Sequence, residues 1–247
     1  AVKGKAVEHM RRRMQGMQPP VILCQEGQRF MVAEHAARAG VQPGAILLEP
    51  AAKNTALSVL VGALAVHEMF GDCLMLIAPS DHAVCHDEAW SAAIEKAAIP
   101  ADEGYIVTFS LSPQGMADTN YGYIKRGAAL DEVALGEESP HAIAAFIEKP
   151  SSVRLESMLA EGGYGINSGM FLARASTVLN AYRAHALECY SIGEKAWQTR
   201  RKEYGFFWMD PAVWNAAPSI AFDVAIMERI ACGATVALTD SGWSDLG

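Results

Sequence analysis

Between residues 19 and 111, short apolar runs alternate with longer amphipathic ones, and few folds accept that order. The runs "PPVILC" (19–24), "AILLEP" (45–50), "CLMLIAPS" (73–80) and "YIVTFSL" (105–111) are bounded by turn formers. Continuous apolar runs of this length mark strands buried on both faces. Between them, "QRFMVAEHAARAG" (28–40), "NTALSVLVGALAVHEMF" (54–70) and "DEAWSAAIEKAA" (87–98) have helical spacing. Gly40 is a stop signal, while Asn54 or Thr55 and Asp87 are start signals. Strict alternation of strand and helix predicts a parallel sheet flanked by helices. After residue 112 the pattern loosens, with strands expected at 121–127, 142–150, 167–174 and 234–239. Helices are expected near 151–160, 175–201 and 221–232. No repeat, low-complexity tract or linker interrupts the 247 residues. One mixed α/β domain over 1–247 is therefore the expectation.

Composition excludes several classes of function. A formal net charge of −8 lacks the basic face with which nucleic-acid binders displace counterions, so no nucleic acid is expected as a partner. No apolar run approaches the roughly 18 residues of a membrane span, so no membrane is expected either. Lys3, Lys5 and Arg11 to Arg13 are followed by no apolar core of a secretory signal. Cys24, Cys73, Cys85, Cys189 and Cys232 are odd in number and show no paired spacing, which suits reduced thiols in a cytoplasmic protein. Small phosphorylated ligands remain allowed, provided that local basic groups or a divalent cation offset the acidic surface.

In open parallel sheets, ligands gather at the carboxyl ends of strands. The run "LMLIAPSDHAV" (74–84) ends by delivering Asp81 and His82 there. Taken alone, these two residues read first as capping or solvating a loop. His82, Cys85 and His86 also raise a zinc reading, but no second ligand cluster accompanies them.

Seven stretches read together are more specific. In order they are "LLEPAAKNTA" (47–56), "APSDH" (78–82), "TNYGYI" (119–124), "FIEKP" (146–150), "NSGMF" (167–171), "PSIAFDVAIME" (218–228) and "GWSDLG" (242–247). With the lead-in "VILCQEGQRFMVAEH" (21–35), their order and spacing resemble the sugar-phosphate nucleotidylyltransferases, and in detail the bacterial mannose-1-phosphate guanylyltransferases. The resemblance implies a Rossmann-like α/β fold, a mixed but mostly parallel sheet flanked by helices. It also implies transfer of GMP from GTP to mannose 1-phosphate, with a homodimer as the assembly allowed for.

That chemistry accounts for the residue types. The attacking phosphate oxygen is already ionised near neutral pH, so catalysis reduces to positioning and charge neutralisation. The resemblance assigns Asp81 and Asp245 to a Mg²⁺ ion and makes Lys149 the contact to the sugar phosphate. His82 is expected to pack behind them. Glu148 and Asn167 would bind sugar hydroxyls, with Gly122 admitting the ring close to the backbone. Asp223 matches the aspartate of a D-x-A-x-M-E stretch, and could equally cap a helix. Glu49, Lys53, Asn54 and Thr55 correspond to the segment near guanine. Lys53 stands where an arginine is usual, and Asn120 where a glycine is usual. Without its companions, the Glu148–Lys149 pair before Pro150 would read as an exposed strand end.

One expected feature has no counterpart. The family's glycine-rich loop, similar to G-G-x-G-T-R-L, follows its first strand and cradles the triphosphate. Here the chain opens instead with the basic "VKGKAVEHMRRRMQGM" (2–17), and "EGGYG" (161–165) lies in the wrong half. The expectation is a domain incomplete at its N-terminus, with a nucleotide-side half at about 1–115 and a sugar-side half at about 116–247. The β-rich or phosphomannose isomerase region that follows in many relatives is not visible. A catalytically silent sugar-nucleotide-binding module is the alternative, as is a nucleotidylyltransferase with another base or sugar preference. Asp81, Asp245 and Lys149 favour the enzyme.

Overall fold

The computed structural model describes residues 17–130 and 139–246. Most of the basic opening segment lies outside the described residues. The strands are β1 (Val21–Gln25), β2 (Ala45–Glu49), β3 (Leu74–Ile77), β4 (His82–Ala83), β5 (Ile106–Leu111), β6 (Tyr123–Ala129) and β7 (His141–Ile147). They continue as β8 (Tyr164–Arg174), β9 (Arg201–Glu203), β10 (Phe206–Trp208), β11 (Gly233–Ala237) and β12 (Ser244–Asp245). The α-helices are α1 (Arg29–Arg38), α2 (Asn54–Phe70), α3 (Asp87–Asp102), α4 (Ser152–Glu161), α5 (Ala175–His185), α6 (Leu187–Gln198) and α7 (Pro211–Asn215).

The mixed α/β class stands, with helices flanking three sheets. The first has the order β1-β2-β10-β9, with β1 and β10 both parallel to β2. The second has the order β3-β8-β5-β11-β7-β6, and β6 pairs in addition with β8. Here only β5 and β11 run parallel, because the long β8 inserts antiparallel between β3 and β5 and meets β6 further along. Antiparallel pairs thus outnumber the parallel ones that strand–helix alternation suggests. The third sheet is the two-stranded antiparallel ladder β4–β12.

Alternate residues feed two cores, one on each face of the larger sheet. Ile106, Phe171 and Ala173 join Leu57, Leu60 and Val61 of α2 and Val178, Leu179 and Tyr182 of α5. Val107, Phe109 and Leu172 join Trp90, Ala93 and Ala97 of α3 and Leu155 and Met158 of α4. This two-sided burial explains why the strands read as continuous apolar runs.

Three expectations shift. The helix expected over 175–201 breaks at Ala186 (φ −144°, ψ 52°), where no Gly or Pro marks the sequence. Arg229 donates to the carbonyl of His185 at 3.1 Å and supplies the end of α5 with a partner from elsewhere. The helix expected over 221–232 is only a five-residue π turn, Asp223–Met227. The β9–β10 hairpin has no forerunner among the expected elements; Tyr204 and Gly205 turn it with φ of 53° and 82°, as a two-residue loop with both residues at positive φ requires.

Candidate active site

The candidate residues fall into three neighbouring clusters. The first is built by the β4–β12 ladder, in which Asp245 lies opposite His82. Leu246 N donates to the carbonyl of Asp81 at 2.9 Å, while Cys85 N and His86 N both reach the carbonyl of Ser241. These backbone bonds bring the loop after β3 and the segment ending at residue 246 side by side, with Asp81 and Asp245 on adjoining positions. His82 Nε2 lies 4.0 Å from Asp245 Oδ1. Its ring stands edge-on to Trp243 with centroids 5.1 Å apart, and Trp243 stands edge-on to Tyr121 at 6.2 Å. His82 therefore packs beside the carboxylates, and its Nδ1 is buried without a hydrogen-bond partner. Among the described residues, no three His, Cys, Asp or Glu side chains are grouped to hold a metal. His82, Cys85 and His86 form no such group.

The second cluster lies before the start of β6, after the end of β7 and at Asn167 within β8. Asn167 N donates to the carbonyl of Gly122 at 2.8 Å. The Asn167 side chain is held at both ends: its Oδ1 accepts from Thr108 Oγ1 at 2.7 Å and its Nδ2 donates to Asp223 Oδ1 at 2.8 Å. This pins the amide orientation and leaves one Nδ2 hydrogen for a ligand. A Cβ on Gly122 would lie 2.5 Å from Glu148 Oε2 and 3.5 Å from Asn167 Cβ, so only glycine lets these side chains close over the backbone. Lys149 Nζ is 4.0 Å from Glu148 Oε1, and its side chain is 63% exposed. Burial pushes the Glu148 carboxyl up to about 7; the Asp223 and Glu228 carboxylates add to the rise and the Lys149 ammonium opposes it. Burial also raises Asp223, against its bond from Asn167.

The third cluster surrounds the start of α2. Glu49, at the end of β2, accepts from Ser58 Oγ at 2.5 Å, and burial raises its carboxyl. Asn54 adopts φ 61°, and its Oδ1 accepts from Thr55 N at 3.0 Å. The other two residues are engaged within the fold. Lys53 Nζ donates to the carbonyls of Asn215 at 2.8 Å and Ala217 at 3.0 Å. Thr55 Oγ1 accepts from Phe222 N at 2.8 Å. These bonds tie the third cluster to the segment leading into Asp223. The first cluster's loop also borders β8, since a Cβ on Gly169, two residues on from Asn167, would meet His82 Cε1 at 3.5 Å and Pro79 Cγ at 3.7 Å.

Sequence reasoning missed two residues that hold the second cluster. Thr108 lies inside the mostly apolar run "YIVTFSL", outside the stretches that carry the resemblance. Glu228 closes the D-x-A-x-M-E stretch, and its Oε1 accepts from Glu148 N at 2.9 Å.

Carboxylates, a fixed amide and an exposed ammonium gathered at strand ends are what α/β enzymes build for polar, phosphorylated ligands. The chain belongs to the nucleotidyl transferase family, which it matches over residues 6–247. It is 39% identical over 228 residues to the xanthan biosynthesis protein XanB of Xanthomonas campestris pv. campestris (strain B100), covering 92% of this chain and 47% of that protein. It is 39% identical over 229 residues to a mannose-1-phosphate guanylyltransferase of Sinorhizobium fredii, covering 92% of this chain and 43% of the relative. The chain thus spans about half the length of the curated relatives it matches. Among solved structures, one titled mannose-6-phosphate isomerase from Helicobacter pylori superposes with a TM-score of 0.84 at 27% identity. The match covers 96% of this chain and 89% of that one. No helix among the described residues is long and apolar enough to cross a membrane.

Proposed function

We propose that this chain carries the guanylyltransferase site that joins GTP and mannose 1-phosphate into GDP-mannose and pyrophosphate. The observation that supports the reading is the β4–β12 ladder, in which Asp245 lies opposite His82 and Leu246 N reaches the carbonyl of Asp81; Pro79 and His82 of the same loop border Gly169, two residues on from Asn167. Guanylyltransferase relatives such as that of Sinorhizobium fredii supply the base and sugar.

The donor set suits a small hard cation. Two carboxylates fit Mg²⁺, which keeps waters and takes substrate phosphate oxygens as its other ligands. Asp81 and Asp245 would hold it, and when bound it would neutralise charge at the α-phosphate. The chain's own residues do the remaining work. Lys149 meets the dianionic sugar phosphate with a point charge. Glu148 and the free Nδ2 hydrogen of Asn167 hold the sugar hydroxyls, with Asp223 fixing the amide from behind. Glu49 accepts from the N–H edge of guanine, while Lys53, Asn54 and Thr55 hold that loop in place. The phosphate oxygen of mannose 1-phosphate then forms a bond to the α-phosphorus of GTP as the bond to pyrophosphate breaks. The nucleophile is already ionised, so no general base is required.

On this reading, residues up to about 115 form the nucleotide side and the rest the sugar side. Five free cysteines favour the cytoplasm; a homodimer is the proposed assembly. The test is pyrophosphate release and GDP-mannose formation by the purified protein with Mg²⁺, GTP and mannose 1-phosphate, against a panel of other nucleoside triphosphates and hexose 1-phosphates. Faster turnover of another pair would overturn the specificity. Binding of the sugar phosphate without any turnover would replace the enzyme by a binding module.

A further inference from the structure

The ladder of β7 ends at Ile147, opposite Tyr123, so the next amide, Glu148 N, needs a partner from elsewhere. It finds Glu228 Oε1 at 2.9 Å. The segment that brings Glu228 there is not an ordinary helix, because Glu228 N donates to the carbonyl of Asp223, five residues back, at 2.9 Å. In an α-helix, residues five apart point about 140° away from each other. A turn closed from i to i+5 takes in an extra residue and brings the later side chain back over the earlier one. The wide turn therefore lets Asp223 and Glu228 face the same strand end.

That strand end is strained. Lys149 has φ 46°, a left-handed conformation uncommon for a long side chain, and it precedes Pro150, which favours extended backbone before it. Such a residue persists only where its surroundings over-determine it. On the far side Pro150 is buried, and Ser151 caps α4 by accepting from Arg154 N at 3.4 Å. On the near side the constraint is the bond from Glu148 N to Glu228.

We propose that Glu228 is a positioning residue for Lys149: by accepting the Glu148 amide it locks the left-handed corner and aims the Lys149 ammonium at the phosphate of the sugar-phosphate substrate. The inference rests on the sugar-phosphate reading of this cluster. Glu228 is exposed, so burial gives it no packing role that would explain its place. The charged groups facing Glu148 are Asp223 and Glu228 from the wide turn and Lys149 from its own strand; Gly122 of the β6 approach and Asn167 of β8 bring none.

Glu228→Ala and Glu228→Gln separate the possibilities, since glutamine keeps an acceptor oxygen and drops the charge. Amide hydrogen exchange at Glu148 needs no ligand; titration calorimetry measures mannose 1-phosphate and GTP separately. Glu228→Ala is expected to speed Glu148 exchange at least tenfold and to weaken mannose 1-phosphate binding roughly tenfold with GTP affinity unmoved. Glu228→Gln is expected to restore both, while moving the Glu148 carboxyl titration, followed by ¹³C NMR, downward from about 7. Wild-type exchange and affinity in Glu228→Ala would overturn the proposal, and so would equal losses in both variants, which would make charge rather than position the cause. A wild-type protein with no affinity for mannose 1-phosphate would instead overturn the sugar-phosphate reading beneath it.

Discussion

Replacing Glu148 by glutamine should stabilise the protein at alkaline pH while damaging its site. The fold lifts this carboxyl from 4.5 to about 7, through burial first and then through Asp223 and Glu228. The folded state therefore binds a proton that the unfolded state releases, and stability falls as pH rises from 4.5 through about 7. Raising a carboxyl's pKa by one costs about 1.4 kcal/mol once it ionises, so the full cost of ionising Glu148 would be about 3 kcal/mol. Solvent reaching the Lys149 side of the carboxylate screens part of this, leaving about 1–2 kcal/mol. Glutamine keeps the shape and cannot ionise. Urea denaturation of both proteins at about pH 5 and about pH 8 should show Glu148→Gln near wild type at the lower pH and about 1–2 kcal/mol more stable at the higher. Equal differences at the two pH values would refute the reasoning, because the effect would then not come from ionisation.

Gly122→Ala would set a methyl 2.5 Å from Glu148 Oε2; that end is movable, so unfolding free energy should change by less than about 1 kcal/mol while mannose 1-phosphate affinity falls roughly tenfold by calorimetry. Asp81→Asn and Asp245→Asn should each weaken Mn²⁺ binding, read by electron paramagnetic resonance, and cost several kcal/mol of transition-state stabilisation in Mg²⁺-dependent turnover. Retention of both properties in either variant would remove that residue from the metal. Lys149→Met should raise KM for mannose 1-phosphate by roughly ten- to a hundredfold and leave KM for GTP in place; the reverse pattern would move Lys149 to the nucleotide side.

Local order is legible where one face of an element decides it. The helix expected over 54–70 is α2, Asn54–Phe70, and the four apolar runs before residue 112 are β1, β2, β3 and β5 within a few residues. Partner choice is not legible. Nothing in "NSGMFLAR" says that it inserts antiparallel between β3 and β5, because an apolar run buried on both faces has no directional mark. Helix α3 runs on through Pro100 to Asp102, since packing of Ala97 and Ala101 in the core outweighs one missing bond in the last turn. For the site, strand ends alone point to Asp81. Its meeting with Asp245 comes from resemblance and is a matter of backbone pairing, which side-chain spacing does not encode. Lys53 and Thr55 belong to the expected segment, yet their polar atoms serve Asn215, Ala217 and Phe222.

The places where local rules fail are not scattered. Among the described residues, four non-glycine residues have positive φ: Asn54, Lys149, Tyr204 and Asp240. Tyr204 is explained by its hairpin. Asn54 begins the third cluster, Lys149 ends β7 beside Glu148, and Asp240, whose carbonyl bonds His86 Nδ1, leads into the segment that returns Asp245 to Asp81. The π turn from Asp223 to Met227 and the raised carboxyls of Glu49, Glu148 and Asp223 lie in the same three clusters. A left-handed residue costs on the order of 1–3 kcal/mol, and a buried carboxyl costs more as it ionises. Such terms accumulate in one region only if the surrounding sheets hold it, and the second and third clusters adjoin strands β2, β7 and β8, whose apolar residues are enclosed in the hydrophobic cores. The break at Ala186 makes the contrast: it lies between two helices, brings in none of the candidate site residues, and the carbonyl before it takes a bond from Arg229. Departure from local preference by itself therefore does not mark the site. Departures that converge on one set of strand ends do.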